Sequence, residues 1–359
     1  MSRPQVPRLR LSVLLAPLVL AVAACGASPT TSAPSASEPT AMETPTGTPL
    51  APVDSSSALP PAPTPLTSSQ ITNGELDVPA ICTDGSQLAG GYYGQDLAAS
   101  PATVTMSGGS APVGSMGEVR VVKGPEALGT PDGAAAVGLT CFDGARNEDI
   151  VAVYTPDGSL QAAQPLGRFA LGMPVITGLT PTEKGVRVEW SHERTPQDAT
   201  ERNGSGTGQA VLSWQAPSLT VLSHSSSDPA NTASATASLL LDALARQDQE
   251  AISALVTDAG AQSLDAPLGD AGALQHRSKS TPVREVMTQD APTLKVESCI
   301  TGPRTVPDTG EPLAAGQYGC TISTVSGNDG RSMYYYWVLF PADGSLDRLE
   351  EIRAQGYTC

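Results

Sequence analysis

Three hydrophobic patterns follow one another along this chain of 359 residues. Leu11 to Ala24 is apolar except for Ser12 and Pro17. A permanent helix needs ~20 residues to cross a ~30 Å hydrocarbon core, so this run is too short to span but suits the core of a signal peptide over residues 1–24. Residues 26–72 then hold mainly Pro, Ser, Thr and Ala, with no Lys or Arg and neither a 3.6 nor a 2 period. Such a composition buries too little apolar area to offset chain entropy, and predicts a disordered stalk from 25 to 72. As a coil its ends would lie roughly 35–40 Å apart.

From 73 to 226 the period is two. Strands are expected at Glu118–Lys123, Ala134–Phe142 and Asp149–Tyr154, the last followed by the turn Thr155-Pro156-Asp157-Gly158. Val175–Thr180 and Val186–Trp190 read as a hairpin with Val186, Val188 and Trp190 on one face, and Ala210–Trp214 and Ser218–Leu222 continue the series. The expectation is an antiparallel all-β module curled into a sandwich or barrel-like sheet.

At 229 the pattern turns helical and an α+β domain is expected to run to 359. Asn231–Ala245 sets Leu240, Leu241 and Leu244 on one face, with a polar Asn or Thr as the start signal. Glu250–Val256 resumes as a short second helix. Strands are expected at Val283–Gln289, Thr293–Thr301, Gln317–Val325 and Ser332–Phe340, then after the turn Pro341-Ala342-Asp343-Gly344 at Ser345–Ile352. Along 333–340, Met333, Tyr335, Trp337 and Leu339 alternate with Tyr334, Tyr336, Val338 and Phe340, so both faces of that strand must be covered. One face would meet the helices. The other would line a cavity, a dimer interface or the contact with the β module, which makes Tyr334 and Tyr336 candidates to orient a small ligand, although core packing explains them as well.

Composition narrows the partners. Removing Arg3, Arg8 and Arg10 with the leader takes 20 basic residues to 17 against 36 acidic, a balance of −19. So acidic a chain is repelled by anionic lipid and by nucleic acid, and nucleic acid is not an expected partner. Five cysteines follow Cys25 with no C-x-x-C pair, which argues against a zinc ribbon or a dithiol redox motif. Outside the membrane, disulfides are permitted. Their placement favours Cys82 with Cys141 and Cys299 with Cys320, while Cys359 is left over and could displace either partner in the second pair.

Chemistry is scarce. His192, His224 and His276 are far apart and show no metal-binding spacing, and each reads as an isolated surface or loop histidine. Asp143, Asp149 and their neighbours bunch acids, but Arg146 intrudes and the alternation of a calcium loop is missing. No catalytic residue, metal or cofactor is expected.

Three resemblances extend this reading. Val22-Ala23-Ala24-Cys25 resembles the bacterial lipobox, in which Cys25 receives a lipid and the leader is removed. The Gly138-Leu139-Thr140-Cys141 strand, the stretch VAVYTPDGSL and the hairpin GLTPTEKGVRVEW resemble the actinobacterial LppP/LprE lipoprotein family. The stretch LLDALARQDQEAISALVTD, together with the closing strand–turn–strand, resembles nuclear-transport-factor-two-like domains, whose helices pack over a curved antiparallel sheet as a cone. They imply a palmitoylated lipoprotein on the extracytoplasmic face of the cell membrane. Its expected partners are the membrane, through Cys25, and a small-molecule, amphiphilic or protein partner in the envelope, with a homodimer left open. A scaffold of envelope machinery is the alternative, and a cone-domain isomerase or hydratase the least favoured.

Overall fold

The computed structural model describes residues 64, 66–83, 93–114, 117–144, 146–200, 204–269, 277–305, 312–324 and 332–358, with the backbone alone at 305, 324, 332–335 and 355–358. The leader, Cys25, most of the stalk, His276 and Cys359 lie outside these residues. The described chain is mostly antiparallel β-sheet with a few helices, as the hydrophobic pattern expects.

The folded part begins earlier than residue 73. Helix α1 (Ser68–Asn73) is held by a capping box, in which Gln70 N donates to Thr67 Oγ1 and Thr67 N to Gln70 Oε1, 2.8 Å away. Leu66 and Ile71 are buried, which draws this end of the expected stalk into the core. The Pro/Ser/Thr composition hid two apolar anchors spaced around a cap.

A five-stranded sheet forms the middle of the β-rich part. Its order is β3 (Ser110–Val113), β4 (Gly117–Ala127), β5 (Ala135–Phe142), β6 (Asn147–Tyr154) and β7 (Leu160–Pro165). Leu139 and Cys141 of β5, with Ile150 and Tyr154 of β6, pack on one face against Ile71 and against Leu76 and Val78 of β1 (Glu75–Val78), which pairs with β2 (Ala102–Thr105). On the other face Ala136, Val151 and Val153 meet Ile176, Val186, Val188 and Trp190. Burial on both faces is why these strands read as nearly unbroken apolar runs. A disulfide joins Cys141 to Cys82 in the turn Ala80–Cys82, their Cα atoms 5.0 Å apart.

The second sheet runs β11 (Ser218–Ser226), β10 (Gly206–Gln215), β9 (Gly185–Glu193), β8 (Gly172–Thr182), which leaves β11 at an edge. The expected hairpin forms, Thr182 pairing with Gly185.

Helix α2 (Pro229–Arg246) starts two residues before the expected Asn231. Asp228 is the cap, its carboxylate accepting from Ala230 N at 2.8 Å, and Pro229 fills the first helical position. Asn231 is buried instead and donates to Arg194 O at 2.7 Å. The helix is buried around most of its girth: Ala235 and Leu239 pack toward the second sheet, and Ala233, Ala237, Leu240 and Leu244 toward the third. Its many alanines allow that close approach on two sides.

The third sheet has the order β12 (Leu294–Thr301), β15 (Tyr318–Thr324), β16 (Ser332–Leu339), β17 (Glu351–Thr358). Around α2 lie α3 (Gln249–Leu255), α4 (Asp258–Asp265) and α5 (Val283–Asp290). The expected strand at 283–289 is therefore a helix. Val283, Val286 and Met287 are buried at helical spacing, and Pro282 occupies the cap. The last strand begins at Glu351 instead of Ser345, because Asp343 accepts from Ser345 N at 2.9 Å and holds 345–348 in a bend. Cys299 and Cys320 face each other across β12 and β15 and form the second disulfide. No helix among the described residues is long and apolar enough to cross a membrane.

Candidate functional site

Tyr336 does not open onto the surface. With Val338 and Phe340 it is fully buried in the core that α2, α4 and α5 form with the third sheet. The opposite face of β16 is covered as well: Trp337 and Leu339 pack with Ile300 and with Leu313 of the short strand β14 (Pro312–Leu313), which pairs with β13 (Arg304–Thr305). The Tyr334 side chain lies outside the described residues.

An open cleft of about 430 Å³ lies elsewhere, between the edge strand β11, helices α2 and α3, and the bend before β17. Leu219, Val221 and Leu222 of β11, Leu239 of α2, Ala251, Ala254 and Leu255 of α3, and Leu346 give it an apolar lining. A β-bulge shapes this wall. Val211 pairs with Ser223 and Leu212 with Val221, which leaves Leu222 as the extra residue, 50% exposed.

One end of the cleft is closed by a polar latch. His224 Nε2 lies 3.1 Å from Thr232 O and 3.4 Å from Thr236 Oγ1, and Thr236 donates to Leu346 O at 2.5 Å. One histidine and two threonines thus tie β11, α2 and the bend together. Burial holds the His224 imidazole below its ordinary value, and the Thr232 carbonyl opposes this.

Asp242 belongs both to the cleft and to a buried charge network. It accepts from Gly94 N at 3.0 Å, pairs with Arg246 Nη2 at 2.9 Å and lies 3.7 Å from Arg168 Nη1. Arg168 also donates to Gln164 Oε1 at 3.2 Å and to Gln95 O at 2.7 Å. Burial disfavours the Arg168 cation, and Asp242 is the main group that restores it. Tyr93 beside this network is pushed up to about 12, chiefly by burial, while a hydrogen bond with Ser238 opposes the shift. The other cleft acids are engaged too: Asp248 caps α3 by accepting from Ala251 N at 3.0 Å, and Asp347 accepts from Ser345 Oγ. Arg348 lines the cleft and is exposed, with no ion pair among the described residues.

Elsewhere, His192 is exposed with its Nδ1 2.9 Å from Ser191 Oγ, and the acids once grouped around Asp143 serve separate ends. Asp143 accepts from Arg146 N at 2.7 Å, whereas Asp149 is buried between two sheets. No group of acidic, His or Cys side chains among the described residues is arranged to hold a metal ion.

The sequence reads His224 as an isolated surface or loop histidine, whereas it is half-buried on β11 with partners on α2, and it does not single out Asp242, Arg246 or Arg348. One signal was present: Asp242 and Arg246, four apart, interrupt an otherwise apolar and small-residue helix. The cleft joins segments more than a hundred residues apart, and no local pattern announces that. No family model matches the chain, and no curated protein or solved structure is significantly similar to it.

Proposed function

We propose that the chain is a lipid-anchored extracytoplasmic binding protein, non-catalytic, whose ligand site is the cleft beside β11. The observation that carries the reading is the cleft itself. Its volume of about 430 Å³ falls in the range of small-molecule sites, and its wall is mixed, with leucines and alanines set among hydroxyls and charged groups. The carboxylates are held by caps, hydrogen bonds or cations, which suits a fixed receptor more than a proton-transfer site. The address rests on Arg3, Arg8 and Arg10, the apolar run and Val22-Ala23-Ala24-Cys25. A lipid on Cys25 would anchor the chain, the Pro/Ser/Thr-rich segment acting as tether. The likeness to LppP/LprE lipoproteins and to nuclear-transport-factor-two-like cones belongs to the same proposal.

Two measurements test it. Cys25→Ala should move the protein from the membrane fraction to the soluble one and abolish palmitate labelling; retention on membranes would overturn the anchor. Native mass spectrometry of the full-length protein from its own host should show a bound small molecule that is lost in Ala254→Trp, since Ala254 is an exposed residue of the cleft wall. A dimer without added mass would favour the scaffold reading instead.

A further inference from the structure

We infer that the cleft takes an amphiphile with a single anionic head group, a carboxylate or phosphate monoester, its head against Arg348 and its chain along Val221, Leu239 and Leu255. This rests on the cleft being the binding site, and adds the chemical class of the ligand.

The argument starts from which charges are already used. Asp242 receives Gly94 N and Arg246, Asp248 receives Ala251 N, and Asp347 receives the Ser345 hydroxyl. A cationic ligand would have to compete for oxygens that are already committed. Arg348 lines the cleft and is exposed; its charge acts on the neighbouring Asp347 carboxylate, but no ion pair closes over its guanidinium among the described residues. A guanidinium offers planar, paired donors that match a carboxylate or a phosphate. Half-buried leucine and valine side chains from three elements line the neighbouring wall, so a purely polar anion would leave Val221, Leu239 and Leu255 partly in water. An attached hydrocarbon chain would cover them, each buried methylene contributing about 0.8 kcal/mol. The net charge of −16 opposes any anion at long range, so the affinity must come from the buried chain and the local contact with Arg348.

The test uses the full-length protein in phosphatidylcholine nanodiscs and follows its thermal midpoint with octanoate, octyl phosphate, octyltrimethylammonium, octyl glucoside and inorganic phosphate. Octanoate and octyl phosphate should raise the midpoint and the other three should not. Arg348→Gln should weaken octanoate about tenfold, and Ala254→Trp should abolish its effect. Equal stabilisation by the cationic or neutral probe, or unchanged octanoate affinity in Arg348→Gln, overturns the anionic class and leaves the cleft reading intact. Stabilisation by inorganic phosphate as strong as by octyl phosphate overturns the amphiphile. If no probe acts, this inference falls while the cleft reading stands on the native mass spectrum; if Ala254→Trp binds octanoate as the wild type does, both fall.

Discussion

Asp149 shows how one polar residue fixes the meeting of two sheets. It is 2% exposed, accepts from Thr140 Oγ1 at 2.6 Å and receives Ile176 N, on β8 of the second sheet, at 2.7 Å. Burial raises its pKa and the two hydrogen bonds oppose the shift. Asp149→Ala leaves the Ile176 N–H buried without a partner, so a loss of about 2–3 kcal/mol is expected from urea unfolding, with a smaller loss in Asp149→Asn, which keeps an acceptor. A variant as stable as the wild type would mean that water replaces the carboxylate. Glu193 does similar work at the far end of β9. It is fully buried and accepts from Trp190 Nε1 at 3.1 Å, from Leu171 N at 3.4 Å and from the Ser226 hydroxyl. Gly208 is needed for its lack of a side chain: a Cβ there would come within 2.3 Å of the Trp190 ring, which lies across from it on β9. Gly208→Ala should therefore cost about 1–3 kcal/mol in the same assay, and a neutral result would show that the indole can swing aside.

At the scale of elements, the disulfides separate loop length from local packing. Cys82–Cys141 closes 59 residues and Cys299–Cys320 closes 21. If the links act by restricting the unfolded chain, removing the first as Cys82→Ala/Cys141→Ala should cost about 4 kcal/mol and removing the second about 3. Reversal of that order in urea melts would mean that the 299–320 link holds native packing. Both pairings were readable from the division of cysteines between the halves and from the expected strands around 299 and 320. Most strands were readable too, since β9 and β10 alternate cleanly and β5 and β6 are continuous apolar runs. The misses have physical causes. Val283, Val286 and Met287 fit a strand or a helix in so short a window, and only Pro282 and their shared burial decide for α5. Asn231 fits the start signal of α2, but Asp228 with Pro229 behind it fits better, as the cap that forms. The candidate site was hardly legible: Tyr336 is ordinary core, and the cleft depends on Leu222 being a bulge, a property of pairing between β10 and β11 that β11's own residues do not encode.

Across the whole molecule, one charged chain runs from the five-stranded sheet to α2. Glu148 on β6 accepts from Gly167 N at 2.8 Å, Arg168 follows in the 3₁₀ turn, and Asp242 receives Arg168 and Arg246 on α2. Burial pushes Glu148 up to about 8, Asp149 adds to this, and Gly167 N–H and Arg168 oppose it. A carboxyl with a raised native pKa binds its proton more tightly folded than unfolded. Its contribution to stability is then fully present below its ordinary 4.5 and is lost as pH rises through about 8. Asp149 and Glu193 act in the same sense, both being raised chiefly by burial. His224 acts in the opposite sense, because burial disfavours its imidazolium, and it withdraws stability as pH falls below its ordinary 6.5. Comparison with Glu148→Gln isolates the first effect from the others. The wild type should lose stability relative to the variant as pH rises from 5 to 8, at no more than about 1.4 kcal/mol per unit for one proton. Urea midpoints at four pH values measure it. Parallel lines for the two proteins across that range would show that Glu148 titrates as an open carboxylate, and that the turn at Gly167 and Arg168 admits water to the joint between the sheet and the helix.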